Sequence, residues 1–278
     1  MKIRSRHVGL GFLLAMIILA MFAEQISGVR FDHQDTESIL MPPGAHHWFG
    51  TDSLGRDLFT RVFYGARVSL FVAVFSSGLT MLLGIAFGAM AGWFEGFSER
   101  LLIRCLDVLQ AIPSFLLVSL LCLFLQGLFE VGDFNLRTLL ALTLSISLVH
   151  WFNVAKITRG QTKQIKALNY VEAARALGAT PLRIFQKHIL PNMQSTLLTL
   201  FVMQIPASIL YESMISFAGY GLQAPQVSWG ILLQEGWRSL SQFPHLLLLP
   251  ALVLFLTVLA FHLIFHNRPP EKFLQEVD

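Results

Sequence analysis

One carboxylate stands out among the residues able to do chemistry. Glu212 lies in the apolar run 197–218, six positions after Pro206. A carboxylate inside such a run is costly and must face protein or water rather than lipid. The proline leaves carbonyls free to line a cavity. Glu212 is therefore a candidate for a translocation path; the other reading is a glutamate near one end of the run, hydrogen-bonded to the following turn. Elsewhere the chemistry is sparse. His46 and His47 are adjacent, and adjacent histidines meet one ion less readily than an i, i+4 pair on a helix, so no metal is expected. Cys105 and Cys122 lie in apolar surroundings with no ligand partner at a useful spacing, and no disulfide is expected. The chain has no Gly-x-x-x-x-Gly-Lys-Ser/Thr, no His-Glu-x-x-His and no nucleophile elbow. It is not expected to be an enzyme or to bind a cofactor by itself. Any energy it uses comes from a partner or an ion gradient.

The most informative polar segment is 169–192, a basic island between two apolar runs. It reads as two short helices. Asn169 can cap the first, with Glu172 three residues later completing a capping-box-like start. Gly178 suits the left-handed position just past a helix end. Thr180-Pro181 offers a second N-cap followed by proline at the first helical position, and Pro191 is expected to end that helix. Ala173, Ala174 and Ala176 keep the first helix slim. Such a rigid helix–Gly–helix element is suited to being gripped by another protein.

These residues must be positioned by membrane helices. The chain of 278 residues is 54% hydrophobic and only 13% charged, with mean hydropathy +0.62; soluble domains average about 25% charged residues. Spans need roughly 20 apolar residues, and six candidates run over 8–23, 68–93, 112–129, 136–155, 197–218 and 246–265. The first is expected to be an uncleaved anchor, because Met21 spoils the cleavage site after Ala23. With the N-terminus inside, segments 1–7, 94–111, 156–196 and 266–278 hold 14 of the 20 Lys and Arg residues, and in 156–196 seven of them accompany a single acid, Glu172. That asymmetry places both termini in the cytoplasm. The net charge of +3 then reflects topology, with no nucleic acid implied.

Four further features fit this frame. In 24–67, Asp52 or Ser53 can cap a helix with apolar positions Leu54, Leu58, Val62 and Phe63, expected to lie at the membrane surface before the second span. Gly84, Gly88 and Gly92 recur at four-residue spacing and allow close helix approach, within the subunit or against a second one. Glu99/Arg100 and Arg104/Asp107 form solvated pairs of little energetic weight. His150 and His245 sit at span ends, where they anchor interfaces.

The order Glu172-Ala173-Ala174, Gly178, then His188 and Leu190-Pro191 resembles the EAA loop of permease subunits of bacterial ABC importers. His188 is similar to the peptide-importer branch. A second string, Gly50-Thr51-Asp52-Ser53-Leu54-Gly55-Arg56-Asp57 followed by Tyr64-Gly65-Ala66-Arg67-Val68-Ser69-Leu70, resembles the C-type subunit of the dipeptide/oligopeptide/nickel branch. Arg104-Cys-Leu-Asp107 leading to Ile112-Pro113, and Ser216-Phe-Ala-Gly-Tyr-Gly221 with Ser228-Trp229-Gly230, resemble further family segments. The resemblance covers about 46–255. The end of the chain departs: His262 to Pro270 lacks the glycines and acids usual there.

The resemblance implies an all-α polytopic protein of about six transmembrane helices with type I ABC importer permease architecture. It divides into an N-terminal anchor and external amphipathic segment (1–67), a permease core (68–266) with the coupling loop 156–196, and a tail (267–278). It also implies a second permease, two ATPase subunits that use ATP and Mg, an extracytoplasmic solute-binding protein and a bacterial inner-membrane location. Glu172, Ala173, Ala174, Gly178, His188, Leu190 and Pro191 would couple to the ATPase. The competing reading is an ion-driven secondary transporter, which usually needs paired intramembrane ions or repeat halves; Glu212 alone is a plausible intramembrane acid and no inverted repeat is evident.

Overall fold

The computed structural model describes residues 2–94, 96–129 and 132–265. The divergent tail 267–278, Glu95 and the side chain of Cys105 lie outside the described residues. Among the described residues the chain forms ten α-helices and no named strand. They are α1 (Lys2–Ser27), α2 (Leu58–Trp93), α3 (Phe97–Gln110), α4 (Ser114–Leu128), α5 (Phe134–Lys166), α6 (Asn169–Ala176), α7 (Pro181–Ile184), α8 (Leu190–Ile215), α9 (Trp229–Arg238) and α10 (His245–Phe265). Five helical stretches are long and apolar enough to cross a membrane: those of α1, α2, α5, the continuous run Pro181–Tyr220 containing α8, and α10.

The third expected span is shorter than its apolar run. Pro113 takes the N-cap of α4 with ψ 120°, so the helix begins only at Ser114. Its 15 residues reach about 22 Å, short of the roughly 30 Å hydrocarbon core. Residues 111–113 therefore form a break between the amphipathic α3 and α4.

The expected surface helix in 50–67 is not a separate element. The 36-residue α2 starts at Leu58, capped by Asp57, whose side chain accepts from Thr60 N–H. The expected boundary at 67/68 thus falls inside α2. Residues 50–57 cannot be helical because Gly50 and Gly55 adopt φ of +80° and +71°. Most of the apolar face that looked interfacial is buried instead: Leu58, Val62 and Phe63, with Phe59 and Ala66, pack with Ala20, Ala23, Trp229, Leu232 and Leu246, whereas Leu54 stays exposed.

Two other local readings are corrected. Leu168, not Asn169, caps α6, and it makes no side-chain cap bond. The cause is length: α5 runs to Lys166, so Ala167 and Leu168 alone make the reversal and Leu168 takes the extended cap conformation. Pro191 does not end the second short helix. A π-turn at Phe185–Ile189 joins α7 to α8, with Leu190 N–H bonding to Phe185 O, and Pro191 follows directly inside α8. The widened turn lets the helical path continue past a residue that lacks an N–H.

The centre of the molecule is the α2–α5 pair. One apolar cluster joins α1, α2, α8, α9 and α10 at the N-terminal end of α2. Another, of Met81, Val154, Val171, Ile184, Ile189, Met193 and Leu197, joins α2, α5 and the α6–α8 segment at the opposite end.

Candidate functional site

The Glu-Ala-Ala segment folds as a braced turn with two distinct faces. Gly178 follows the end of α6 at φ +83°. Its N–H bonds to Arg175 O at 3.0 Å, and Ala179 N–H bonds back to Ala174 O at 3.1 Å. This reciprocal pair is the Schellman closure, which requires a left-handed residue where Gly178 stands. Thr180 then caps α7, accepting from Arg183 N–H at 3.4 Å. The inner face is anchored by Val171, Ile184 and Ile189, all essentially without exposure. The outer face carries Glu172, Ala173, Ala176 and Leu177, with Ala174 partly covered. Leu177 is 90% exposed and Leu182 66%.

Several braces hold this turn. Tyr170 packs on the His188 ring at 5.9 Å between centroids and accepts from Asn192 Nδ2 at 3.1 Å. Partial burial raises the Tyr170 phenol above its ordinary value, partly offset by the Asn192 bond. Arg175 lies over the Trp93 ring at 5.6 Å, and Lys166 Nζ donates to Trp93 O at 2.9 Å. The end of α2 thus grips both sides of the turn. Trp93, Tyr170 and Asn192 were not singled out from the sequence; an aromatic closing a span, where interfacial aromatics concentrate, is the signal that could have marked Trp93.

The glycine stripe packs α2 closely on the helix that leads into that turn. A Cβ at Gly88 would lie 2.5 Å from Ala155 O and 2.8 Å from Thr158 Cβ, and one at Gly92 would lie 2.7 Å from Arg159 O. Gly84 faces Val154 equally closely. The stripe therefore faces α5 of the same chain, and α5 leads directly into α6. Beside it, Glu99 on α3 receives Arg159 Nε at 2.6 Å and Lys163 Nζ at 2.5 Å. Hydrogen bonding to Lys163 first, then to Arg159, holds the Glu99 carboxyl below the ordinary range despite burial. Asp107 pairs with Lys156 at 2.6 Å. The local Glu99/Arg100 and Arg104/Asp107 pairs expected from spacing are replaced by these ties to α5, because α3 packs along it.

The Gly50–Asp57 string forms an ionic knot at the other end. Asp52 accepts from Arg56 Nε at 2.7 Å and from Arg61; Arg61 Nη1 also donates to Glu235 Oε2 at 2.6 Å. Arg61 and Asp52 are buried, with side-chain exposures of 1% and 7%. Thr51 Oγ1 accepts from Met41 N–H at 2.8 Å, and Asp57 accepts from His47 Nδ1 at 2.9 Å while capping α2. Cβ atoms at Gly50 and Gly55 would collide with Met41 O and Asp35 O. The string is thus a folding knot that fastens the 28–57 segment to α2 and α9.

Glu212 has no exposed surface. Ser69 Oγ and Ser216 Oγ each donate to it at 2.8 Å, and Ser213 Oγ lies at 3.4 Å. Ser69 in turn accepts Trp229 N–H at 3.2 Å. The bond to Ser216, one turn on, is the second geometry expected from the sequence; Ser69 adds a tie to α2 and, through Trp229, to α9. Glu212→Gln should keep the site folded, whereas Glu212→Ala strands hydroxyls at a cost of about 1–3 kcal/mol. Thermal unfolding of the two variants in detergent checks this; equal midpoints would contradict it.

A polytopic helical bundle with a rigid two-faced turn between spans defines a membrane transport component. Residues 84–267 match the family described as binding-protein-dependent transport system inner membrane component, and the chain belongs to that family. It is 36% identical over 260 residues to the oligopeptide transport system permease protein OppC of Bacillus subtilis (strain 168), covering 92% of this chain and 81% of the relative. The dipeptide transport system permease protein DppC of the same organism is 37% identical over 264 residues, covering 95% and 79%. The glutathione transport system permease protein GsiD of Pectobacterium atrosepticum is 35% identical over 255 residues, covering 91% and 81%. The chain is accordingly a multi-pass membrane permease component of an importer system.

Proposed function

We propose that this chain is one permease subunit of an ATP-driven importer of dipeptides, oligopeptides or similar small peptides. The observation that carries the reading is the α6–Gly178–α7 turn: its inner face is buried against α2, α5 and α8, while Glu172, Leu177 and Leu182 stand free to enter a partner's groove. The names of the relatives support a peptide substrate. The partners are a second permease, two ATPases that hold ATP and Mg, and an extracytoplasmic solute-binding protein; the chain itself binds no cofactor. It sits in a bacterial inner membrane with both termini and the α6–α7 turn on the cytoplasmic side, as its Lys and Arg distribution favours.

In mechanism, an ATPase that grips the turn moves it as a lever. Val171, Ile184 and Ile189 transmit that movement to Met81, Val154 and Met193. The close α2–α5 contact carries it along the bundle, because a packed interface rearranges as a body rather than yielding locally. Glu172→Lys reverses charge on the gripped face. Gly178→Val forces a β-branched residue into the left-handed region, where L-residues pay about 1–2 kcal/mol. Both variants should reach the membrane at wild-type levels yet uncouple peptide uptake from ATP hydrolysis in proteoliposomes. Normal uptake by both would remove the coupling role from this turn.

A further inference from the structure

A second polar feature lies away from Glu212. The break at 111–113, α5 and α8 enclose a cleft of about 470 Å³ lined by Gln110, Pro113, Ser114, His150, Asn153 and Tyr211, among others. This volume falls in the range of small-molecule sites, about 300–1,000 Å³. Ser114 Oγ and Tyr211 OH hydrogen-bond at 2.7 Å, and His150 stacks edge-on to Tyr211 at 4.2 Å. His150 Nδ1 meets Ile146 O at 2.8 Å, whereas its Nε2 is buried without a hydrogen-bond partner among the described residues. Gln110 Nε2 donates to Asn153 Oδ1 at 2.9 Å.

The surroundings of this cleft fix what it faces. Unwound backbone at 112–113 opens one apolar run and the exposed Asn153 lies in another; neither is tolerated against lipid, and both line protein or a water-filled cavity, whereas Gln110 ends the segment expected to be cytoplasmic. At the rim, Lys156 pairs with Asp107 at 2.6 Å and also donates to Gln110 Oε1, so its charge is already engaged within this chain. The remaining wall groups are hydroxyls, carboxamides and an imidazole, which both donate and accept. That set matches backbone amides, which every peptide shares, rather than any one side chain.

We propose that this cleft is a peptide-holding subsite of the translocation path, engaging backbone N–H and C=O groups through Ser114, Tyr211, His150 and Asn153. It deepens the importer reading and rests on it. The site lies apart from the cage around Glu212, whose oxygens are already occupied by serines of this chain.

The test uses the whole importer in proteoliposomes with its binding protein and ATP, in a background with Cys105→Ser and Cys122→Ala. Ala111→Cys, at an exposed lining position outside the four proposed contacts, is introduced and its reaction with a membrane-impermeant maleimide is timed with and without trialanine. At ten times the half-protecting concentration, trialanine should slow labelling roughly tenfold. Tyr211→Phe, in the same background, should raise that half-protecting concentration roughly tenfold for one lost hydrogen bond. Trialanine uptake by the unsubstituted importer is measured in parallel. Uptake together with unprotected or absent labelling at position 111 overturns the cleft and leaves the importer reading standing. Failure of the unsubstituted importer to take up any of a panel of small peptides overturns both.

Discussion

Gly88→Val should prevent the chain from accumulating as a folded membrane protein. The added Cβ alone would sit 2.5 Å from Ala155 O and 2.9 Å from Ala155 Cα, both backbone atoms that cannot rotate aside. Relief requires α2 and α5 to separate, which unseats Gly84 and Gly92 from Val154, Arg159 and Thr162 as well. Overpacking of a tight interface costs typically 1–3 kcal/mol and occasionally more; because the whole stripe is unseated at once, about 3 kcal/mol or more is expected. The measurement is the monodisperse fraction in mild detergent and its unfolding midpoint. Gly78→Ala is the matched control, since a Cβ there meets nothing within 4 Å. A Gly88→Val chain as stable as wild type, but unable to pair with a second permease, would show that the stripe serves the subunit interface instead.

Asp52→Ala should be nearly as damaging, through a different mechanism. It removes the carboxylate that Arg56 and Arg61 share in a site where Arg61 is only 1% exposed. Breaking a buried pair by deleting one partner costs about 3–5 kcal/mol, because the remaining charge stays desolvated. Glu235 still reaches Arg56 at 3.4 Å and Arg61 at 2.6 Å, but it is 38% exposed, so water screens it and it only partly offsets the loss. Asp52 also accepts the N–H groups of Leu54 and Arg56, at 2.8 and 3.0 Å, so the turn itself loosens. Glu235→Gln should cost much less, since water reaches it. Proteolysis of the 28–57 segment and thermal unfolding report both effects; equal losses for the two substitutions would show that Asp52 is not the anchor.

Legibility followed the range of the interactions. Gly178 after α6 and Thr180-Pro181 opening α7 were readable because each depends on a few neighbouring dihedrals. The cap at Leu168 was not, since it follows from how far α5 runs. The Pro191 stop was not either, because a π-turn upstream absorbed the proline. In the Gly-Thr-Asp string the residues were legible as a motif but not as a knot. Its partner Glu235 lies far along the chain, and only the docking of α9 brings it to Arg61.

The resemblance of its motifs supplied the permease reading, while the residues by themselves determined a membrane-embedded helical protein with a rigid polar turn between spans. The latter conclusions rest on run lengths, Lys and Arg asymmetry and local capping, all short-range properties of a chain in lipid. Only the tertiary structure decided what each conspicuous residue faces. It turned the glycine stripe onto α5, closed serines of α2 and α8 around Glu212, and opened a polar cleft where Ser114, His150 and Tyr211 converge from three helices. Helical periodicity specifies a face but not its neighbour; the neighbour is chosen by how whole helices pack, and that choice belongs to the entire bundle.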